Sequence, residues 1–222
     1  MVLTPYSGLS KLYSVPLILS PDNMARTVAK MKTMCIKLKD HDSARRSAVL
    51  IPLCTVNNEI CLLYTLRTQH LRSHKGQVSF PGGMQDDNDA DLIETALRET
   101  EEELGMKREN LRVWGSGNLI QARGVYMLPV VGQILGDLDI SNLNINKDEV
   151  KEVFVVRLVD LCDRTKLGYT QFRDQYSTPT FTGGHRKIWG LTAIVTNMFL
   201  KALFPDQVYN HPIKFVHSWR AK

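Results

Sequence analysis

Four glutamates fall within five positions of the stretch ALRETEEELG, residues 96–105: Glu99, Glu101, Glu102 and Glu103. Helical steps of about 100° per residue put Glu99, Glu102 and Glu103 on one face and Glu101 beside Glu94 on the solvent side. Ile93, Leu97 and Leu104 gather roughly opposite, with Ala96 and Thr100 on the flank, a stripe that predicts docking against a core. Like charges three or four residues apart repel, so three carboxylates on one face call for something positive among them. A hard divalent cation meets that need, because Mg²⁺ and Mn²⁺ prefer oxygen ligands and Mg²⁺ is commonly shared between carboxylates and substrate phosphates. A solvated acidic face is the plainer alternative, and it leaves the upstream segment Phe80-Pro81-Gly82-Gly83 unexplained. There a proline and two glycines permit a tight turn and close approach of backbone to a ligand. Arg98 lies four residues from both Glu94 and Glu102 and is expected to bridge them, orienting Glu102.

Several elements must hold these groups. SAVLIPLCTV and EICLLYTLR, separated by Asn57-Asn58, predict two strands joined by a hairpin turn. A polar, basic loop, TQHLRSHKGQ, leads into the short strand VSF, and residues 89–104 form the glutamate helix. LRVWGSG, YMLPVVGQIL and EVFVVRL are further strands, and residues 22–38 are a basic helix begun by cap-type residues near Pro21. After a polar stretch at 168–184, a helix starting near Lys187 closes the domain; its core, LTAIVTNMFLKALF (191–204), is broken by Thr, Asn and Lys and reads as amphipathic. Helices before, between and after several strands predict one α/β (α+β) layered domain with a mixed sheet. We expect an N-terminal extension over 1–24, of the kind that can carry a targeting segment, then a single domain over 25–222 with its core at about 45–205.

Bulk properties narrow the classes. Among 222 residues, 43% are hydrophobic and 23% charged, ordinary for a globular protein with a sizeable core. No run of eighteen apolar residues occurs, which excludes a membrane-spanning helix by that criterion. A net charge of +5 and a pI near 9.0 suit phosphorylated partners. The basic residues are spread along the chain, so nucleic acid is not the expected partner. Cys35, Cys54, Cys61 and Cys162 lack zinc-type spacing, and Cys54 and Cys61, alternating with apolar residues inside predicted strands, read as buried small hydrophobes in a reducing compartment. The first 21 residues lack acid but contain no Arg and a single basic residue, Lys11, a weak match to a transit peptide, and HSWRAK at the C-terminus is not the peroxisomal SKL.

Gly83 followed by Arg98-Glu99-x-x-Glu102-Glu103-x-Gly105 resembles the box of the Nudix hydrolases, written GX5EX7REUXEEXGU, where U is bulky and aliphatic. Thr100 replaces one aliphatic residue, fourteen residues instead of thirteen separate Gly83 from Arg98, and Ala90 stands where the first glutamate is expected, with Asp89 or Asp86 as partial substitutes. Immediately upstream, LYTLRTQHLRSHKGQVSFPGG resembles LLTXR(S/A)X3RX3GX3FPGG, the motif of the coenzyme A diphosphatase branch, at Thr65, Arg67, Arg72, Gly76, Phe80, Pro81, Gly82 and Gly83. That branch also has the fourteen-residue spacing.

The resemblance implies a Nudix-type α/β/α sandwich with a catalytic loop-helix-loop. It also implies Mg²⁺- or Mn²⁺-dependent hydrolysis of the diphosphate in coenzyme A and acyl-coenzyme A, giving 3′,5′-ADP and 4′-phosphopantetheine or its acyl form. Both phosphoryl groups are anionic, so their charge must be offset before water can attack, and a carboxylate can then take the proton. Glu99 and Glu103, one turn apart, are the expected direct metal ligands; Glu102 is a third ligand or the base. Arg98 orients these carboxylates. Arg67, Arg72, Gly76, Phe80, Gly82 and Gly83 are the implied substrate-binding set, with Arg pairing suited to the phosphates. His70 and His74 are weaker candidates for catalysis, and Phe181 and Trp189 read as core before groove. The resemblance implies a mitochondrial location, with the cytoplasm as the alternative, and leaves monomer or homodimer open. Two other functions stay in view: hydrolysis of another nucleoside diphosphate derivative such as ADP-ribose, a dinucleotide or capped RNA, and a catalytically silent binding module.

Overall fold

The architecture comes from a computed structural model that describes residues 11–38, 45–69, 76–122, 124–171, 176–212 and 214–215. Its spine is a pair of apolar strands, β2 (Arg46–Val56) and β3 (Glu59–Arg67). They form the expected hairpin, with Val56 opposite Glu59 and Leu53 opposite Leu62. The turn residues Asn57 and Asn58 have φ of 49° and 62°. Two successive left-handed residues match the twist of the flanking strands, and Asn tolerates that conformation better than most side chains.

A nine-stranded mixed sheet grows from this hairpin among the described residues. β8 (Val125–Asp137) runs parallel to β2, and β9 (Val150–Arg157) runs antiparallel to β3. Two short strands, β4 (Val78–Ser79) and β5 (Gly82–Met84), attach to β3 and β2 respectively, which fixes the glycine segment against the sheet. β6 (Leu111–Ser116) and β7 (Ile120–Ala122) both pair antiparallel with β8, and β1 (Ile36–Leu38) extends the edge beside β7. From Ala48 to Cys54, β2 is buried at every position but Val49, as a central strand with helices on both faces should be.

One face of the sheet carries the glutamate helix, Leu92–Leu104. Leu92, Ala96 and Leu97 pack there against Ala48, Leu50 and Val130. The other face carries the closing helix, Gly190–Leu203, in a core shared with Tyr64, Phe154 and Phe181. Beside it, against β6, lies the helix Pro21–Thr33, whose Met31 and Val28 are buried. The result is an α/β/α sandwich with a mixed sheet, as the sequence led us to expect.

Three elements differ from expectation. The closing helix is not amphipathic: every residue from Ala193 to Leu200 is buried. Its polar side chains are satisfied internally. Thr196 Oγ1 donates to the Thr192 carbonyl and receives the Tyr64 hydroxyl at 3.2 Å, while Tyr209 Oη donates to Asn197 Oδ1 at 2.7 Å. The basic helix stops at Thr33, five residues early, because the chain turns extended at Met34 to enter β1. And the polar stretch at 168–184 contributes to a second, three-stranded antiparallel sheet: β10 (Leu167–Gln171), β11 (Tyr176–Phe181) and β12 (Lys214–Phe215). Phe181 is fully buried core, and no helix among the described residues is long and apolar enough to cross a membrane.

Candidate active site

The site begins where β5 crosses β2. Gly82 has φ 151°, and a Cβ there would stand 2.3 Å from the Ala48 carbonyl oxygen and 2.7 Å from the Val49 Cα. A Cβ on Gly83 would meet the Glu99 carboxyl group at 2.4 Å. The paired glycines therefore let the backbone pair closely alongside β2 and directly against a glutamate of the helix. That contact links the two halves of the sequence pattern.

Asp91 starts the helix by accepting from the Ile93 and Glu94 N–H groups at 2.8 and 2.9 Å, and Gly105 ends it in the left-handed conformation. Ala96, Thr100 and Glu103 are all 0% exposed, so the docked stripe is centred on what was expected to be its flank and runs through Glu103 itself. Ile93 is only half-buried. Thr100 is tolerated at a position of aliphatic character because its hydroxyl donates to the Ala96 carbonyl at 2.6 Å.

Arg98 is the hub. Its Nη1 donates to Glu99 Oε1 and Glu102 Oε2, each at 3.0 Å. Its Nε and Nη2 donate to Asp89 Oδ1 and Oδ2 at 2.8 and 3.0 Å, and Nη2 also reaches the Met84 carbonyl at 3.1 Å. Those five contacts match the five N–H donors of a guanidinium. Arg98 thus orients carboxylates and has no donor left for a substrate. The expected bridge to Glu94 is absent: Glu94 pairs with Arg108.

Glu103 is the most constrained carboxylate. Burial, helped by the negative charges of Glu99 and Glu149, pushes its carboxyl up to about 8 against the pull of Arg67. Arg67 Nη1 lies 3.2 Å from Glu103 Oε1, whereas Oε2 is buried with no hydrogen-bond partner. Burial also raises the Glu99 carboxyl, opposed by Arg98 and reinforced by Glu102 and Glu149. Glu102 is half exposed at the outer edge.

Glu149 is a fourth carboxylate that sequence reasoning did not single out. Its loop is tied to the site at three points. Asn146 N donates to the Glu103 carbonyl at 3.0 Å, Thr68 N to the Glu149 carbonyl at 2.9 Å, and Thr68 Oγ1 to the Asp148 carbonyl at 2.9 Å. The only trace in the sequence is an acidic residue three positions before the stretch EVFVVRL, immediately ahead of β9, a signal without fixed spacing to the helix.

The residues expected to bind substrate divide. Gly82 and Gly83 line the site, and Arg67 stands in it but on Glu103. Phe80 is turned into the core, stacked on Tyr64 at 4.8 Å, and supports the loop from beneath. Gly76 is a turn residue beside Gln69, ahead of β4. Arg72, with His70, His74 and Lys75, lies outside the described residues.

A model of the NUDIX domain matches residues 44–177, which takes in the glycine segment, the glutamate helix and β9. The chain belongs to the Nudix family. It is 41% identical over 188 residues to the mitochondrial coenzyme A diphosphatase NUDT8 of Mus musculus, covering 82% of this chain and 85% of that one. With the protein of the same name from Homo sapiens it shares 43% over 170 residues, 72% and 70% of the two chains. With Nudix hydrolase 3 of Caenorhabditis elegans it shares 35% over 196 residues, 79% and 80%. The chain is a Nudix hydrolase.

Nudix hydrolases generally use divalent metal ions. Among the described residues no three His, Cys, Asp or Glu side chains are already drawn into a metal-holding group, since Arg98 holds Glu99 and Glu102. The donor set nevertheless fits a hard cation. It is all carboxylate oxygen, Glu103 Oε2 is buried without a partner, and burial disfavours the anionic form of both Glu99 and Glu103, a cost that a bound cation would offset.

Proposed function

We propose that this Nudix hydrolase cleaves the diphosphate linkage of coenzyme A and its acyl derivatives, releasing 3′,5′-ADP and 4′-phosphopantetheine or its acyl form. One observation carries the reading. Arg67, from the segment resembling the coenzyme A diphosphatase motif, meets Glu103, from the glutamate helix, at 3.2 Å. Two signatures distant in sequence thus share one site. The names borne by the mouse and human relatives support the same substrate and a mitochondrial setting.

Glu99 and Glu103, with Glu102, would hold Mg²⁺ or Mn²⁺ there. When bound, the ion offsets phosphoryl charge and lowers the pKa of water. The chain's own residues do the rest. Arg67 steadies Glu103 with one nitrogen and presents the remainder of its planar fork to a phosphate oxygen. The Gly82-Gly83 backbone lets the diphosphate approach without a side chain in the way. Arg98 keeps Glu99 and Glu102 aligned. Glu149, or Glu102 where it does not hold the ion, would accept a proton from the attacking water.

Incubation with coenzyme A and Mg²⁺, followed by mass spectrometry, tests this directly. The expected products are 3′,5′-ADP and 4′-phosphopantetheine. Faster turnover of dephospho-coenzyme A or ADP-ribose than of coenzyme A would point to another nucleoside diphosphate derivative.

A further inference from the structure

The segment between β11 and the closing helix, Gly183-Gly184-His185-Arg186-Lys187, carries three basic side chains that the glutamate site leaves unused. It is pressed onto its surroundings. A Cβ on Gly183 would stand 2.5 Å from the Asp160 carbonyl oxygen, and one on Gly184 2.8 Å from Val156 Cγ2. Phe181 and Ile188 exchange backbone hydrogen bonds of 2.9 Å across its base. Glu152 of β9 then fixes what the segment displays. Its Oε1 meets His185 Nε2, and its Oε2 accepts from Arg186 Nε and Nη2 at 3.2 and 2.7 Å. The His185 ring also stands edge-on to Phe154 at 4.9 Å. One carboxylate thus orients two exposed basic side chains. Among the described residues neither Arg186 Nη1 nor His185 Nδ1 has a hydrogen-bond partner, and Lys187 is exposed beside them. Asp160, against which the segment packs, is taken by Arg157 and Lys166, so Arg186 and Lys187 leave this surface net positive.

This surface adjoins the catalytic end of the sheet. Glu152 lies opposite Leu66, the residue before Arg67, and Arg67 lies opposite Val150. Paired residues share a face and successive residues alternate. Arg67 therefore meets Glu103 on one face, while Glu152 holds His185 and Arg186 on the other, one residue along β3. A ligand that runs past the end of the sheet meets both. We propose that His185 and Arg186 form the subsite for the 3′-phosphate of coenzyme A, a phosphate monoester set one ribose away from the diphosphate cleaved at the glutamates. The proposal rests on the coenzyme A reading. A guanidinium already held at Nε and Nη2 offers its Nη1 donors in a fixed direction, so little freedom is lost when a phosphate oxygen arrives. The imidazole, aligned by the same carboxylate, stands beside it. Dephospho-coenzyme A lacks the group these side chains would read.

Full-length protein and two readouts test this. For Arg186→Met we expect KM for coenzyme A to rise about 10- to 100-fold, the loss of one hydrogen bond between charged groups. Its kcat should stay unchanged, and dephospho-coenzyme A should be turned over as by the wild type. Arg186→Lys should fall between, because it keeps the charge and loses the planar fork. A merely structural role would slow both substrates alike. The second readout is calorimetric titration with 3′,5′-ADP and with 5′-AMP in the presence of Mg²⁺. Wild-type protein should prefer 3′,5′-ADP, and Arg186→Met should lose that preference. An unchanged KM, equal losses on both substrates, or wild-type protein that binds the two nucleotides equally would each overturn the proposal. Should Arg186→Met not fold, His185→Gln is measured in the same two ways, with the same direction expected. The titration needs no turnover, so it decides on the subsite even where the wild type leaves coenzyme A intact. Cleavage of coenzyme A with no nucleotide preference would sink the subsite and keep the proposed function.

Discussion

At the scale of single residues, the site stores its tension in one carboxyl group. Burial lifts Glu103 from 4.5 to about 8. Between those values the folded, metal-free protein binds a proton that the unfolded chain has released, so its stability falls as pH rises through that window. Glu103→Gln has no such proton to lose. Melting curves at about pH 5 and about pH 8 should show the variant gaining on the wild type as pH rises, with added Mg²⁺ at the higher pH stabilising only the wild type. A pH-independent difference would contradict the strained carboxylate. The two neighbouring glycines should separate fold from chemistry. Gly82→Ala forces a Cβ onto the Ala48 carbonyl in a positive-φ conformation and should cost at least about 2 kcal/mol in denaturant unfolding. Gly83→Ala meets only the movable end of Glu99, so stability should change by less than about 1 kcal/mol while kcat drops about tenfold or more.

At the scale of elements, what the sequence revealed depended on how local the cause was. The hairpin was legible because Asn57 and Asn58 themselves adopt the turn, and the glutamate helix because Asp91 and Gly105 cap it. The closing helix was misjudged because Thr196 and Asn197 look like solvent-facing residues until Tyr64 and Tyr209 are placed beside them. The second sheet hid in a polar run because its pairing, Tyr169 against Pro179 and Thr170 against Thr178, has no alternating apolar signature. The partners of Arg67 and Asp89, and Glu149 itself, were harder still, since each contact spans a loop or two elements. The helix correction has a measurable counterpart. Thr196→Val leaves the buried Tyr64 hydroxyl without its acceptor and should destabilise the protein by about 1–3 kcal/mol in chemical denaturation. A neutral effect would mean that Tyr64 finds another partner.

At the scale of the whole molecule, the largest cluster of buried side chains runs from Ile18 through the sheet to Tyr209, with two smaller clusters around Cys54 and Leu97, and we propose that these together form a single folding unit. The thiols report on this. Cys54, Cys61 and Cys162 are buried, and burial pushes the Cys61 thiol up to about 11 and the Cys162 thiol up to about 12, while Cys35 is exposed. A thiol reagent should modify Cys35 alone in the native protein, and the other three together when denaturant unfolds it. Stepwise exposure would divide the core. The brace between Asp89 and Arg98 reaches beyond this molecule. A text filter that insists on glutamate at the place of Ala90 will discard chains built like this one. A pattern that accepts an acid at either neighbouring position, provided the stretch up to the arginine lengthens to match, keeps them.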